Sequence, residues 1–198
     1  MARMTDKITR ADIVDVAVGL LASGGLHALV MRRIAAELGV QQSALYWHVD
    51  NKQQLLAAVA DELLAPVEPP DDGDWRARVA ALAARLRARL LAYPDGAELV
   101  ATALAFRLGA QRPLEQFRAA LEAGGLEPER AATAASVLVH FILGHTGDEQ
   151  QHRQAAAFGA IEDDPDAPPS DDGFDRGIDL ILAGIDAQHR AAGRRPPG

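Results

Sequence analysis

Tyr46, Trp47 and His48 stand side by side in the stretch VQQSALYWHVDNKQQLL (40–56) of a chain that holds only two tryptophans and two tyrosines. With Gln41, Gln42, Ser43 and Lys52 they gather hydrogen-bond donors and acceptors around two aromatic rings. A glutamine carboxamide can pair bidentately with adenine, and a serine hydroxyl serves most bases. A phenol, an imidazole and an ammonium group suit phosphate oxygens. Such a set suits a partner with its own hydrogen-bonding groups, or else only caps a helical interface. A second group lies at 145–152, where His145 and Glu149, and Asp148 and His152, are four residues apart. Glu149-x-x-His152 is half of a di-iron carboxylate pattern, but that site needs a second Glu-x-x-His and two further helical glutamates. The chain has no second Glu-x-x-His. The polar run 148–150 therefore reads as a solvated helix end with i,i+4 pairs. Glycine-rich phosphate loops and the G-x-S-x-G nucleophile pattern are also absent. The sequence implies no catalytic residue, no metal site and no cofactor.

Helices must position these groups, because apolar residues recur at helical spacing and alternating β-branched runs are missing. Thr9-x-x-Asp12 is a capping arrangement, followed by Ile13, Ala17, Leu20 and Leu21 on one face, and Ser23-Gly24-Gly25 ends that helix. Met31, Ile34, Ala35 and Leu38 mark a short second helix, Gly39 turns the chain, and a third helix is expected over Gln42 to Val49. Asp50 or Asn51 caps a fourth, with the stripe Leu55, Leu56, Val59 and Leu63. A short turn between the second and third helices is the helix-turn-helix pattern. On the third helix Leu45 should pack inward, with Trp47 packing beside it to hold the helix in its socket. Arg32 and Arg33 on the preceding helix are placed to reach a nucleic-acid backbone or a guanine.

A body comes after the proline-rich PVEPPDDGD (66–74). Helices are expected from Trp75 to Tyr93, from Pro94-Asp95-Gly96, from Pro113 to Gly124-Gly125, from Pro128 to about Gln154, and from Phe174 to His189. Between the last two, 161–173 holds six acidic residues and three prolines, the composition of an exposed, mobile loop. The expected fold is all-α, with a head over 1–65 and a body over 66–198.

Composition sets the outer bounds. Apolar residues make up 48% of 198, enough for a core, and the absence of cysteine excludes disulfides, thiolate zinc sites and cysteine nucleophiles. Asp12 and Asp15 interrupt the first apolar stretch, so no signal peptide is read, and the apolar run 131–144 is too short to span a bilayer. A cytoplasmic protein with no membrane partner is expected. The net charge is −8, yet residues 1–52 carry six basic and five acidic side chains. Charges separated by more than about 8 Å of solvent are largely screened at physiological salt. The acidic body therefore does not exclude nucleic acid from the head. Abundant alanine and arginine suit a GC-rich bacterial genome.

HALVMRRIAAELGVQQSALYWHVDNKQQLLAAVADELL (27–64) resembles the DNA-binding head of the tetracycline-repressor family of transcriptional regulators. YPDGAELV (93–100), HFILGHTGDEQQH (140–152) and DDGFDRGIDLILAGI (171–185) are similar to body segments of the subgroup that gives the family its name. The resemblance implies a ligand-responsive repressor that binds a palindromic operator in double-stranded DNA as a homodimer and is released by a small-molecule effector. It implies operator contacts from Arg32, Gln42, Ser43, Ala44, Tyr46, His48 and Lys52. It places the dimer interface on the helix beginning near Pro128 and on the C-terminal helix. That subgroup binds a magnesium–tetracycline complex, but its magnesium-binding histidine aligns with Val100, and the threonine and arginine after it align with Ala103 and Leu104. Its polar drug contact near the end of the head falls near Glu68. Only His140 and Asp148 keep counterparts. A more apolar pocket without magnesium is expected instead, lined by Val100, Leu104, Phe106, Phe117, His140 and Phe141. The alternative is a dimeric helical module that binds a small molecule or a protein and no specific DNA.

Overall fold

A computed structural model of the chain describes residues 8–70, 73–162 and 170–193. Every regular element among them is helical: α1 Arg10–Gly24, α2 Met31–Glu37, α3 Gln42–Leu45, α4 Lys52–Leu64, α5 Trp75–Leu91, α6 Gly96–Ala105, α7 Arg112–Ala123, α8 Pro128–Ala157 and α9 Ser170–Gly193. The chain forms two compact units, one of residues up to Pro66 with Leu90–Ala110, the other of Val67–Arg89 with the residues from Gln111 onward.

In the first unit, α1 starts with a complete capping box: the Asp12 backbone N–H donates to Thr9 Oγ1, and the Thr9 backbone N–H donates to Asp12 Oδ2 at 2.7 Å. Ile13, Ala17, Leu20 and Leu21 are buried as their spacing requires. Gly25 closes the helix at φ 69° and leads into a single 3-10 turn, Leu26–Ala28, which the spacing of apolar residues does not reveal. Asn51 caps α4, its side chain accepting from the Gln54 N–H at 2.9 Å, and Leu55, Leu56, Val59 and Leu63 are all buried. Helix α4 packs against α1 and α6. Two carboxylates tie α6 and the loop after it to the rest of this unit. Asp95 accepts from the Leu26 N–H at 2.8 Å, and Asp61 on α4 accepts from the Ala110 N–H at 2.7 Å. A Cβ on Gly25 would collide with the Asp95 carboxylate, so this contact needs glycine for space as well as for φ.

The second unit is built on α5, α7, α8 and α9. Val79, Leu82 and Leu86 form the buried stripe of α5, and α8 packs against both α7 and α9. The expected solvated end at 148–150 is corrected: α8 runs on to Ala157, and Glu149 and Gln150 are buried. Glu149 continues the inward stripe Ile142, Thr146, and its charge is balanced by Arg87 of α5, whose Nη2 donates to Glu149 Oε2 at 2.6 Å. Arg153 also pairs with Glu149. The Arg87 guanidinium stands 5.0 Å from the centre of the Phe174 ring, and Phe174 stacks on Phe141. Helix α9 begins at Ser170, so the last residues read as loop are helical, and it runs past His189 to Gly193. The acidic stretch 163–169 and the terminal 194–198 lie outside the described residues.

Candidate nucleic-acid interface

Helix α2, a turn and α3 make the helix-turn-helix. The turn is a glycine C-cap in which the Gly39 N–H donates to Ala36 O and the Val40 N–H to Ala35 O, with Gly39 at φ 67°. That pattern is a Schellman motif, which satisfies the last carbonyls of α2 while reversing the chain. Gln41 is the N-cap residue of α3 but makes no side-chain cap hydrogen bond.

Helix α3 is shorter than expected, ending at Leu45, with 46–48 in a tight turn. There the His48 and Val49 N–H groups both donate to Leu45 O. Asp50 and Asn51 must leave the helical path so that Asn51 can cap α4, which stops α3 early. Leu45 and Val49 are buried and anchor the segment. Trp47 does not pack as expected: it is 87% exposed. At 100° per residue, position 47 lies about 160° round a helix from both Leu45 and Val49, so an inward Leu45 and Val49 force Trp47 outward. Helical angle outweighed hydrophobicity, and the same arithmetic applied to the sequence finds it.

Most of the remaining sequence-derived positions are open to solvent. Arg32, Gln42, Ser43 and Lys52 are exposed, Tyr46 is 47% exposed, and Ala44 and His48 are half-buried. Arg33 and Gln41 are exposed beside them. Gln42 Nε2 donates to Tyr46 Oη at 3.3 Å. This surface offers carboxamides, hydroxyls and cations with two aromatic rings, and no buried titratable group. It is equipped to bind a polyanion displaying hydrogen-bonding edges.

The six pocket positions divide between the units. In the first, Val100 is fully buried, Leu104 is half-buried, and Phe106, just past α6, is exposed. In the second, Phe117 is fully buried and Phe141 is half-buried against Phe174 and His145. His140 is exposed, on the α8 face of Thr133 and Val137. Its Nδ1 lies 2.6 Å from Ser136 O, a contact in which the ring N–H donates to the backbone carbonyl. Thr133 and Val137 line a groove of about 490 Å³ with Leu180, Ile181, Gly184 and Ile185 of α9, and Leu180 is 75% exposed.

An all-helical chain with an N-terminal helix-turn-helix followed by further helices has the architecture of a ligand-responsive bacterial regulator. Residues 13–59 match the family model of bacterial regulatory proteins of the tetR family, and residues 66–168 match the tetracyclin repressor-like C-terminal domain. The chain is 32% identical to the tetracycline repressor protein class C of Escherichia coli, covering 91% of this chain and 92% of that one. Among solved structures it is similar to BioQ of Mycobacterium smegmatis, with TM-score 0.82 and 36% identity over 91% of this chain and 98% of that one. BioQ with its double-stranded DNA operator gives TM-score 0.76 and 34% identity, covering 91% and 99%. The Streptomyces coelicolor protein ActR in complex with actinorhodin gives 0.75 and 28%, covering 92% and 97%. The chain belongs to the tetR family of bacterial regulatory proteins.

Proposed function

We propose that this protein is a transcriptional repressor that binds a palindromic operator as a homodimer and is released by a small molecule. The observation that carries this reading is the α3 surface, where Leu45 and Val49 are buried while Gln42, Tyr46, Trp47 and Lys52 stand out to solvent. A protein-interaction scaffold has no use for this combination. Arg32, Gln42, Ser43, Ala44, Tyr46, His48 and Lys52 contact the operator, and Trp47 joins them because of its exposure. The head is residues 1–65 and the body 66–198. The α8/α9 groove, with exposed Val137 and Leu180, is the dimer surface. The effector binds within the body, residues 66–198. Val100, in place of a magnesium-binding histidine, favours an organic effector over a metal–tetracycline complex. Among the described residues no helix is long and apolar enough to cross a membrane. The regulator is cytoplasmic and does not act as an enzyme.

The test is to incubate the purified protein with fragmented DNA of its own genome and sequence what it retains. A recovered palindrome is expected. Recovery of no motif at low salt, from a folded dimer, overturns the reading in favour of a binding or interaction module.

A further inference from the structure

The contact between Gln42 and Tyr46 bears on how the operator is read. Gln42 is exposed at the start of α3, and its Nε2 donates to Tyr46 Oη, one helical turn on, at 3.3 Å. A carboxamide carries two N–H donors and one acceptor oxygen. With one N–H given to Tyr46, the free edge presents the other N–H beside Oε1. That donor–acceptor pair complements adenine, whose major-groove edge offers N7 as acceptor and N6–H as donor. Rotating the amide by 180° would interchange donor and acceptor and spoil the match.

The tyrosine hydroxyl has a single proton. When it is donated to a phosphate oxygen, Oη keeps only lone pairs, and Gln42 must turn Nε2 toward it. Contact with the DNA backbone then fixes the orientation of the base-reading amide. We propose that Tyr46 is a positioning residue: by accepting from Gln42 while donating to phosphate, it holds the Gln42 amide in the orientation that selects adenine at one position of each operator half-site. This rests on α3 being the base-reading helix.

The test begins by selecting binding sites for the full-length protein from random duplex DNA. Failure to recover any motif overturns the regulator reading itself, an outcome distinguishable from any failure of the Gln42–Tyr46 coupling. With a motif in hand, Gln42→Ala, Tyr46→Phe and the double variant are titrated against the consensus and against operators carrying each other base at every position. A good bidentate pair discriminates by roughly 5- to 150-fold. Gln42→Ala should lose discrimination of about that size at one adenine. Tyr46→Phe should lose discrimination at the same adenine, besides weakening all sequences through the lost phosphate contact. The double variant should discriminate there no worse than Gln42→Ala alone. Gln42→Glu, an acceptor only, should move the preference at that position toward cytosine. If Tyr46→Phe weakens every operator by one common factor and leaves that preference intact, Tyr46 is a backbone contact and the proposal is wrong. It is equally wrong if Gln42→Ala changes no base preference. Both side chains are exposed, and circular dichroism checks that each variant is folded.

Discussion

Tyr46, Trp47 and Lys52 sit where water would normally favour charge, and two of the three are aromatic. Their exposure is stable because burial of Leu45 and Val49 fixes the orientation of the turn that carries them. Lys52 opens α4 as an exposed ammonium, suited to a phosphate and blind to base identity. Lys52→Ala should therefore weaken binding about equally for all sequences and lower the slope of log K against log salt by about one. A titration at three or more salt concentrations reads this directly, and an unchanged slope would place Lys52 away from the DNA. Asp12 makes a different statement. The Thr9 hydroxyl, and then the Thr9 backbone N–H, donate to its carboxylate and hold its pKa below the ordinary 3.8. A carboxyl group depressed on folding stabilises the folded state above its unfolded pKa, and that contribution is lost as pH falls through the folded one. Asp12→Asn should accordingly be less stable than the parent at pH 6, with the difference shrinking as pH falls below 3.8. Chemical denaturation across that range checks it, and a constant difference would remove the charge from the account.

At the scale of elements, α3 has one turn of helix and one fully buried side chain, so it has little with which to hold itself in place. Leu45 carries that burden. Truncating a buried leucine to alanine costs about 2–5 kcal/mol through lost burial and the cavity left behind. Leu45→Ala should reduce stability by that amount, read from the denaturation midpoint. It should also weaken operator binding by more than its unfolded fraction explains, because the remaining folded molecules hold α3 loosely. Binding lowered only in proportion to unfolding would show that Val49 suffices as anchor. Elsewhere the elements are fastened by polar contacts at their ends. Leu26 to Asp95, Ala110 to Asp61, and the Arg87–Glu149 pair are directional contacts between segments distant in sequence. Breaking a buried ion pair by removing one partner is far more damaging than replacing both, because it strands a charge away from water.

At the scale of the whole molecule, the α8/α9 groove proposed as the dimer surface is left uncovered by a single chain. Val137 and Leu180 are exposed on either side of the α8/α9 groove, and Gly184 has open space where a Cβ would stand. A second copy related by a two-fold axis would cover both residues with the same face of its own α8 and α9. Two heads are also what a palindrome requires, with half-sites roughly 34–36 Å apart. Leu180→Glu should yield a folded monomer by sedimentation, with operator affinity collapsing toward the non-specific level. A variant that remains dimeric would move the interface to another face.

What the sequence by itself determined is the part governed by neighbours along the chain. Helix positions follow from apolar spacing, the caps at Thr9 and Asn51 from side chains three residues from the amides they accept, and the turn at Gly39 from its lack of a Cβ. The family motif lies in the same local code, and with it the α3 surface. Trp47 was misplaced by weighing hydrophobicity above helical angle, although both are local quantities. Only the tertiary structure decided which groups meet across distance. Glu149 reads as solvated until Arg87, 62 residues earlier, is brought against it, and Asp95 reads only as part of a helix start until Leu26 is found donating to it. Local conformation is set by short-range sterics and hydrogen bonds within a few residues. The partner of a buried charge is set by the packing of whole helices, and no spacing rule along one strand of sequence contains it.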